Sequence, residues 1–203
     1  MSNGLVIMLH GVGSNGNDLA PLGGVLRPVL PDTRFAAPDA PFPFEHGDGR
    51  QWFSISGVTE SNRPERVRLA RAAFDATLSR LMADHQLADR PDRVVLVGFS
   101  QGSIMALDAV ASGRWPVAGV VAFSGRLSSP MPLTPCVHVP VLLIHGAEDP
   151  VIDPRETERA ETALKALGME ANAFILPGLG HTLSSDGAAR AERFIAAVLA
   201  AGS

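Results

Sequence analysis

The chain has 203 residues, 46 % apolar and 19 % charged, which suffices for one domain with a full hydrophobic core and excludes a disordered protein. Its formal net charge is -4 with no block of like charge, which argues against nucleic acid as a partner, because phosphate binding needs a basic patch. The single cysteine, Cys136, excludes an intrachain disulfide and leaves the redox compartment open.

The N-terminal "MSNGLVIMLHG" has no basic n-region, and its apolar run is too short for a signal peptide. No run reaches the roughly 18 apolar residues of a membrane span. A soluble, cytoplasmic protein is expected. "GLVIMLHG" (4–11) reads as a buried strand. Residues 17–30 read as a poor helix, broken by Pro21, Gly23, Gly24 and Pro28. Residues 33–41 read as a second strand ending at proline, and 42–57 as an aromatic-rich loop or short hairpin. From Arg63 to His85, Val67, Ala70, Phe74, Leu78, Leu81 and Met82 recur at helical spacing. A strand at 93–99 runs into a helix at 101–112 that Gly113 ends. Strands follow at 117–125, 139–149 and 172–178, with helices at 153–168 and 188–201.

Continuous apolar strands separated by helices predict a mostly parallel sheet covered on both faces, in one α/β domain spanning 1–203. Ligands in such sheets bind at the carboxyl ends of the strands. The loops there carry the chemistry.

The first such loop of interest is Gly98-Phe99-Ser100-Gln101-Gly102, a G-x-S-x-G motif. The pattern alone is weak. Its position is not, because a buried strand leads in and a helix leads out, as a nucleophile elbow requires. The strained turn needs small neighbours, which Gly98 and Gly102 supply, and the helix N-terminus favours negative charge on the reacting oxygen. The bland alternative is a serine capping a tight turn.

A nucleophilic serine needs a base, and the base needs an orienting acid. Of six histidines, His181 lies in a glycine-flanked loop between the last strand and the last helix and is the best base. His145, at a strand end, reads as structural. Asp149 is the preferred acid. Asp153 looks like a helix cap before Pro154, and Glu148 is a weaker rival. The order Ser100, Asp149, His181 is that of α/β-hydrolases. Two N–H groups should form the oxyanion hole: that of Gln101, and that of Val12 in the loop after the first strand. Gln101 enters through its backbone more than its side chain.

A rival reading uses Gly11-x-Gly13-x-x-Gly16 as a dinucleotide fingerprint, with Asp32 or Asp39 as the ribose acid. The broken helix expected after it, and His10 before the first glycine, count against that. Cys136 sits outside any elbow and is a poor nucleophile candidate. A catalytically silent hydrolase fold that binds a small molecule is a third class.

"LHGVGSNGNDLAPL", "APDAPFPFEHGDGRQWF", "GFSQGS", "AFSGRL", "HGAEDPVI" and "GLGHT" together resemble the phospholipase/carboxylesterase family of α/β-hydrolases, in family order over nearly the whole chain. The resemblance implies a three-layer α/β-hydrolase fold without a cap domain. It implies Ser100, Asp149 and His181 as triad and Val12 and Gln101 as oxyanion donors. It also implies ester or thioester hydrolysis with no metal or cofactor. Many relatives dimerise, which brings in a homodimer as an assembly. The chain begins close to its first strand, so the outer N-terminal strands of a full hydrolase sheet are expected to be trimmed, and it contains no tyrosine.

With no room for a cap between Ser100 and Asp149, a shallow, open site is expected. Phe44, Trp52, Phe53, Leu127 and Leu179 are its candidate apolar walls, with core packing as the alternative for each. Small-molecule esters of short to medium acyl chain are the expected substrates, with lysophospholipids or thioesters as alternatives.

Overall fold

The computed structural model describes residues 4–201. Its strands are β1 (Gly4–Leu9), β2 (Thr33–Ala36), β3 (Phe42–Pro43), β4 (Arg50–Gln51), β5 (Val94–Phe99), β6 (Gly119–Phe123), β7 (Val141–Gly146) and β8 (Ala171–Leu176). Its α-helices are α1 (Gly16–Leu26), α2 (Arg63–Asp84), α3 (Gln101–Ala111), α4 (Arg155–Ala166) and α5 (Ser185–Ala201).

Six strands form one sheet in the order β2-β1-β5-β6-β7-β8, and every pair in it is parallel. Each strand points its side chains alternately to two faces, so both need cover. In β1, Leu5, Ile7 and Leu9 join a core under α2, α3 and α4 with Phe74, Leu107 and Leu164. Val6 and Met8 join the opposite core under α1 and α5 with Leu22, Leu26 and Ile195. This is the three-layer fold expected. The connection from β6 to β7, residues 124–140, contains no helix or strand, so no cap covers the sheet there.

The chain first moves outward from β1 to β2, then returns to place β5 on the other side of β1. That reversal opens a crevice at the carboxyl ends of β1 and β5. The loops carrying Gly11 and Ser100 emerge on its two sides.

One expectation fails. Residues 16–26 form a continuous helix despite Pro21, Gly23 and Gly24. Asn15 caps it by accepting the Asp18 N–H, and Leu19, Leu22 and Leu26 bury against the sheet. Gly23 lies directly over Met8 and Phe35, where a side chain would crowd them. Apolar burial and close approach thus outweigh weak helix propensity.

Two polar devices tie neighbouring segments together. Asp108 of α3, fully buried, takes both forks of Arg71 from α2 at 2.8 and 2.9 Å and Arg114 at 2.8 Å. This ties α2 to α3. The β3–β4 hairpin clamps the loop after β1: Gly13 N–H donates to the Arg50 carbonyl (2.9 Å), and Arg50 N–H donates to that of Ser14 (2.7 Å).

Candidate active site

Ser100 stands between β5 and α3 with φ +52° and ψ -115°, in the region that disfavours any residue but glycine. It is held there from both sides. Its N–H donates to the Phe123 carbonyl (2.9 Å), and its carbonyl accepts the Ile104 N–H (3.2 Å). A Cβ on Gly98 would overlap the Ser103 backbone, and one on Gly102 would overlap the Leu9 carbonyl. Only glycine at both positions lets the turn close against β1.

The loop after β1 reaches the elbow. A Cβ on Gly11 would lie 3.3 Å from Ser100 Cβ. Gly13 has φ +78°. The Val12 and Gln101 N–H groups donate to no other group among the described residues, so both are open donors beside Ser100. His10, behind them, is buried. Its Nε2 accepts the Ala40 N–H (2.9 Å), so the ring proton sits on Nδ1 and donates to the Gly11 carbonyl (2.7 Å).

Asp149 and His181 come together from the loops after β7 and β8, which are laced by Glu148 N–H to the Leu179 carbonyl at 2.9 Å. His181 Nδ1 lies 2.6 Å from Asp149 Oδ2. Oδ1 of the same carboxylate accepts the N–H groups of Val151 (2.8 Å) and Ile152 (3.0 Å). Burial alone would raise the Asp149 carboxyl, but the hydrogen bonds from His181, Ile152 and Val151 outweigh it and hold it below its ordinary value. The two rival acids sit elsewhere. Glu148 is exposed, and Asp153 is exposed and paired with Arg155.

His145 is the residue whose place at this site the sequence left undefined beyond "structural". It is buried, with Nε2 2.9 Å from the Ile152 carbonyl and 3.0 Å from Asp149 Oδ2. Both neighbours are acceptors, so Nε2 carries the proton and Nδ1 accepts from the Thr157 hydroxyl at 2.7 Å. Burial lowers its pKa and keeps it neutral. The signal available in the sequence was its spacing, four residues before Asp149 at a strand end.

Gln101 does more than its backbone implied. Its buried side chain accepts the Trp52 N–H (2.7 Å) and donates to the Phe53 carbonyl (2.7 Å), joining the elbow to the segment after β4.

The five candidate walls do not form one surface. Trp52 is a core residue, 1 % exposed, stacked edge-on against Phe74 and donating its indole N–H to the His10 carbonyl (2.9 Å). It offers no face to a ligand, because its amphipathic ring is needed to seal hairpin to sheet. Phe53 lines an apolar cleft of about 430 Å³ with Phe42, Pro43, Leu69 and Ala70, between the hairpin and α2. Phe44 packs over Gly13, Leu127 faces a charged cleft beyond β6, and Leu179 packs on the α1–α5 core. The cleft containing His181, about 260 Å³, is instead walled by Gly11, Phe99, Thr182, Leu183 and Leu19. The Phe99 ring lies 4.9 Å from that of His181. These walls were missed because a residue inside a motif, and one two places beyond a histidine, carry no periodic signal.

The dinucleotide alternative meets a specific obstacle. The N-terminus of α1, where a pyrophosphate would bind, is taken by Asp39, whose Oδ1 accepts the Gly16 N–H at 2.8 Å. A carboxylate there repels phosphate.

The phospholipase/carboxylesterase family profile matches residues 2–199. The chain belongs to that family. It is 34 % identical to "Esterase YpfH" of Escherichia coli over 181 residues, which cover 89 % of this chain and 77 % of the relative. It is 28 % identical to "Acyl-protein thioesterase 1" of Neurospora crassa over 196 residues, 87 % of this chain and 79 % of that one. Among solved structures it resembles esterase PE8, with a TM-score of 0.89 and 36 % identity over 97 % of this chain and 93 % of that one. No helix among the described residues is long and apolar enough to cross a membrane.

Proposed function

We propose that this member of the family is a cytoplasmic serine hydrolase that cleaves carboxylic esters of short to medium acyl chain. The observation that carries the reading is the 2.6 Å contact of His181 Nδ1 with Asp149 Oδ2, on the same sheet edge as Ser100 at its strained turn. With Asp149 holding Nδ1–H, His181 presents Nε2 as a base. Ser100 Oγ attacks the acyl carbonyl while His181 takes its proton. The Val12 and Gln101 N–H groups stabilise the oxyanion. Collapse of the tetrahedral intermediate breaks the ester bond, and His181 protonates the departing alcohol. Water, activated by His181, then hydrolyses the acyl-enzyme and regenerates Ser100. Every step is performed by protein groups and water.

The chain-length assignment rests on the 260 Å³ cleft at His181, walled by Phe99, Leu183 and Leu19. Hydrolysis rates over p-nitrophenyl esters from acetyl to palmitoyl test it. Rates should peak at short to medium chains, and a peak at palmitoyl would overturn that assignment. The Neurospora relative's name favours a second reading, thioester hydrolysis by the same residues. Matched oxygen and sulfur esters of one acyl group separate the two.

A further inference from the structure

Beyond β6, a cleft of about 230 Å³ lies between the start of α2, the 126–129 loop and the first turns of α4. Arg63, Arg126, Arg159, Glu60, Glu156 and Leu127 line it. Arg159 pairs with Glu156. Arg63 and Arg126 are both half-buried, and neither side chain makes an ion pair or hydrogen bond among the described residues. Burial lowers the pKa of Arg63, and the neighbouring charge of Arg126 lowers it further, against smaller opposing effects of Glu60 and Glu156. Two like charges thus face one space without a counter-ion on their forks, an arrangement that a bound anion stabilises.

One wall of the cleft is the loop that leaves β6 next to the elbow. Arg126 follows Phe123, the acceptor of the Ser100 N–H, by three residues, a span of at most about 10 Å. Three arginines against two glutamates leave one unit of positive charge. That balance suits a singly charged group, while the two glutamates would oppose a phosphate dianion. A planar carboxylate also matches the guanidinium fork.

We propose that Arg63 and Arg126 form a carboxylate subsite, so that the enzyme prefers esters carrying a carboxylate a few bonds from the scissile carbonyl. The inference rests on Ser100 being the nucleophile. It sets a local preference against the overall negative charge of the chain.

Two pairs matched in carbon number test it by kcat/KM. p-Nitrophenyl hemiglutarate against p-nitrophenyl pentanoate places the charge on the acyl half. 4-Acetoxybutanoate against butyl acetate places it on the alcohol half. The anionic member of at least one pair should be favoured about tenfold, a preference that 0.5 M salt erodes. The ratio should fall to about one in Arg126→Gln and in Arg63→Gln, and a ratio needs no correction for active fraction. Preference for the neutral member in both wild-type pairs overturns the subsite, as does a preference that survives both substitutions. If wild type hydrolyses neither neutral ester, the hydrolase reading fails instead. The subsite is then read by calorimetric binding of monomethyl glutarate to Ser100→Ala. Binding that weakens about tenfold on adding Arg126→Gln supports it, and equal binding overturns it.

Discussion

Oδ2 of Asp149 lies 2.6 Å from Nδ1 of His181, while Oδ1 is held by the Val151 and Ile152 N–H groups. The carboxylate is therefore fixed before it meets the imidazole, and it dictates which ring nitrogen keeps the proton. Asp149→Asn keeps the shape but removes that control. Turnover of p-nitrophenyl acetate should fall about 10⁴-fold with the fold intact by circular dichroism. A loss below tenfold would remove Asp149 from the proposed triad.

Ser100 carries both the proposed nucleophile and a strained backbone. Ser100→Ala should cut kcat by roughly 10⁴- to 10⁶-fold. Ser100→Gly should be equally inactive yet more stable than Ser100→Ala by about 1 kcal/mol, a rise of roughly 2–4 °C in melting temperature. Differential scanning calorimetry of the two inactive proteins reads the strain net of the greater freedom of the unfolded glycine chain, which opposes it by about 0.4–1 kcal/mol. A glycine variant less stable than the alanine variant by that amount would show that the turn stores none.

Gln101 satisfies two buried backbone groups outside its own helix. Gln101→Leu leaves the Trp52 N–H and the Phe53 carbonyl without partners, at about 2–5 kcal/mol. Chemical denaturation should show that loss. kcat/KM should fall with it, because the segment bearing Phe53 is no longer tied to the elbow. A variant as stable as wild type would mean that these groups find other partners.

Thr157 supplies the hydroxyl proton that leaves His145 with its own proton on Nε2, facing Asp149. Thr157→Val removes the donor and keeps the volume. The substitution should cost about 1–3 kcal/mol and slow p-nitrophenyl acetate hydrolysis, whereas Thr157→Ser should restore both. Identical behaviour of the valine and serine variants in both assays would count against this hydrogen-bond chain.

Acid should destabilise the protein in two stages. Burial lowers the pKa of His10 and His145 in the folded state from 6.5. The unfolded chain then binds more protons below that value, so their contribution is complete above about pH 6.5 and declines as pH falls through the lowered folded values. Asp149 and Asp108 are likewise lowered, below the ordinary carboxylate value of 3.8. Their contribution is present above about pH 4 and is lost below it, as pH falls through their folded values. Melting temperature measured from pH 8 to pH 3 should hold near neutrality, decline from about pH 6.5, and steepen below 4. A melting temperature that rises between pH 7.5 and 5.5 would contradict the buried, neutral histidines.

The sheet, its parallel sense and the elbow were legible in one dimension because each depends on local pattern. A strand buried on both faces must be apolar throughout, as "LVIML" and "VVLV" are. A turn with positive φ that packs on a neighbouring strand must be flanked by glycine, as Ser100 is. The pairing of residues 32 apart, Asp149 with His181, could be ordered along the chain and no more. Its distance, and the exclusion of Glu148 by exposure, depend on how two loops are laced. The helix at 16–26 was misread because Pro21 and the glycine pair report propensity, while burial of Leu19, Leu22 and Leu26 decided the outcome. Trp52 was misplaced for the converse reason: an aromatic residue near a site looks the same in sequence whether it faces a ligand or the core. Local sterics and periodicity thus determined the framework and the Ser-Asp-His order. Tertiary structure alone decided which polar groups are buried together, because that depends on contacts between segments whose separation no local pattern records.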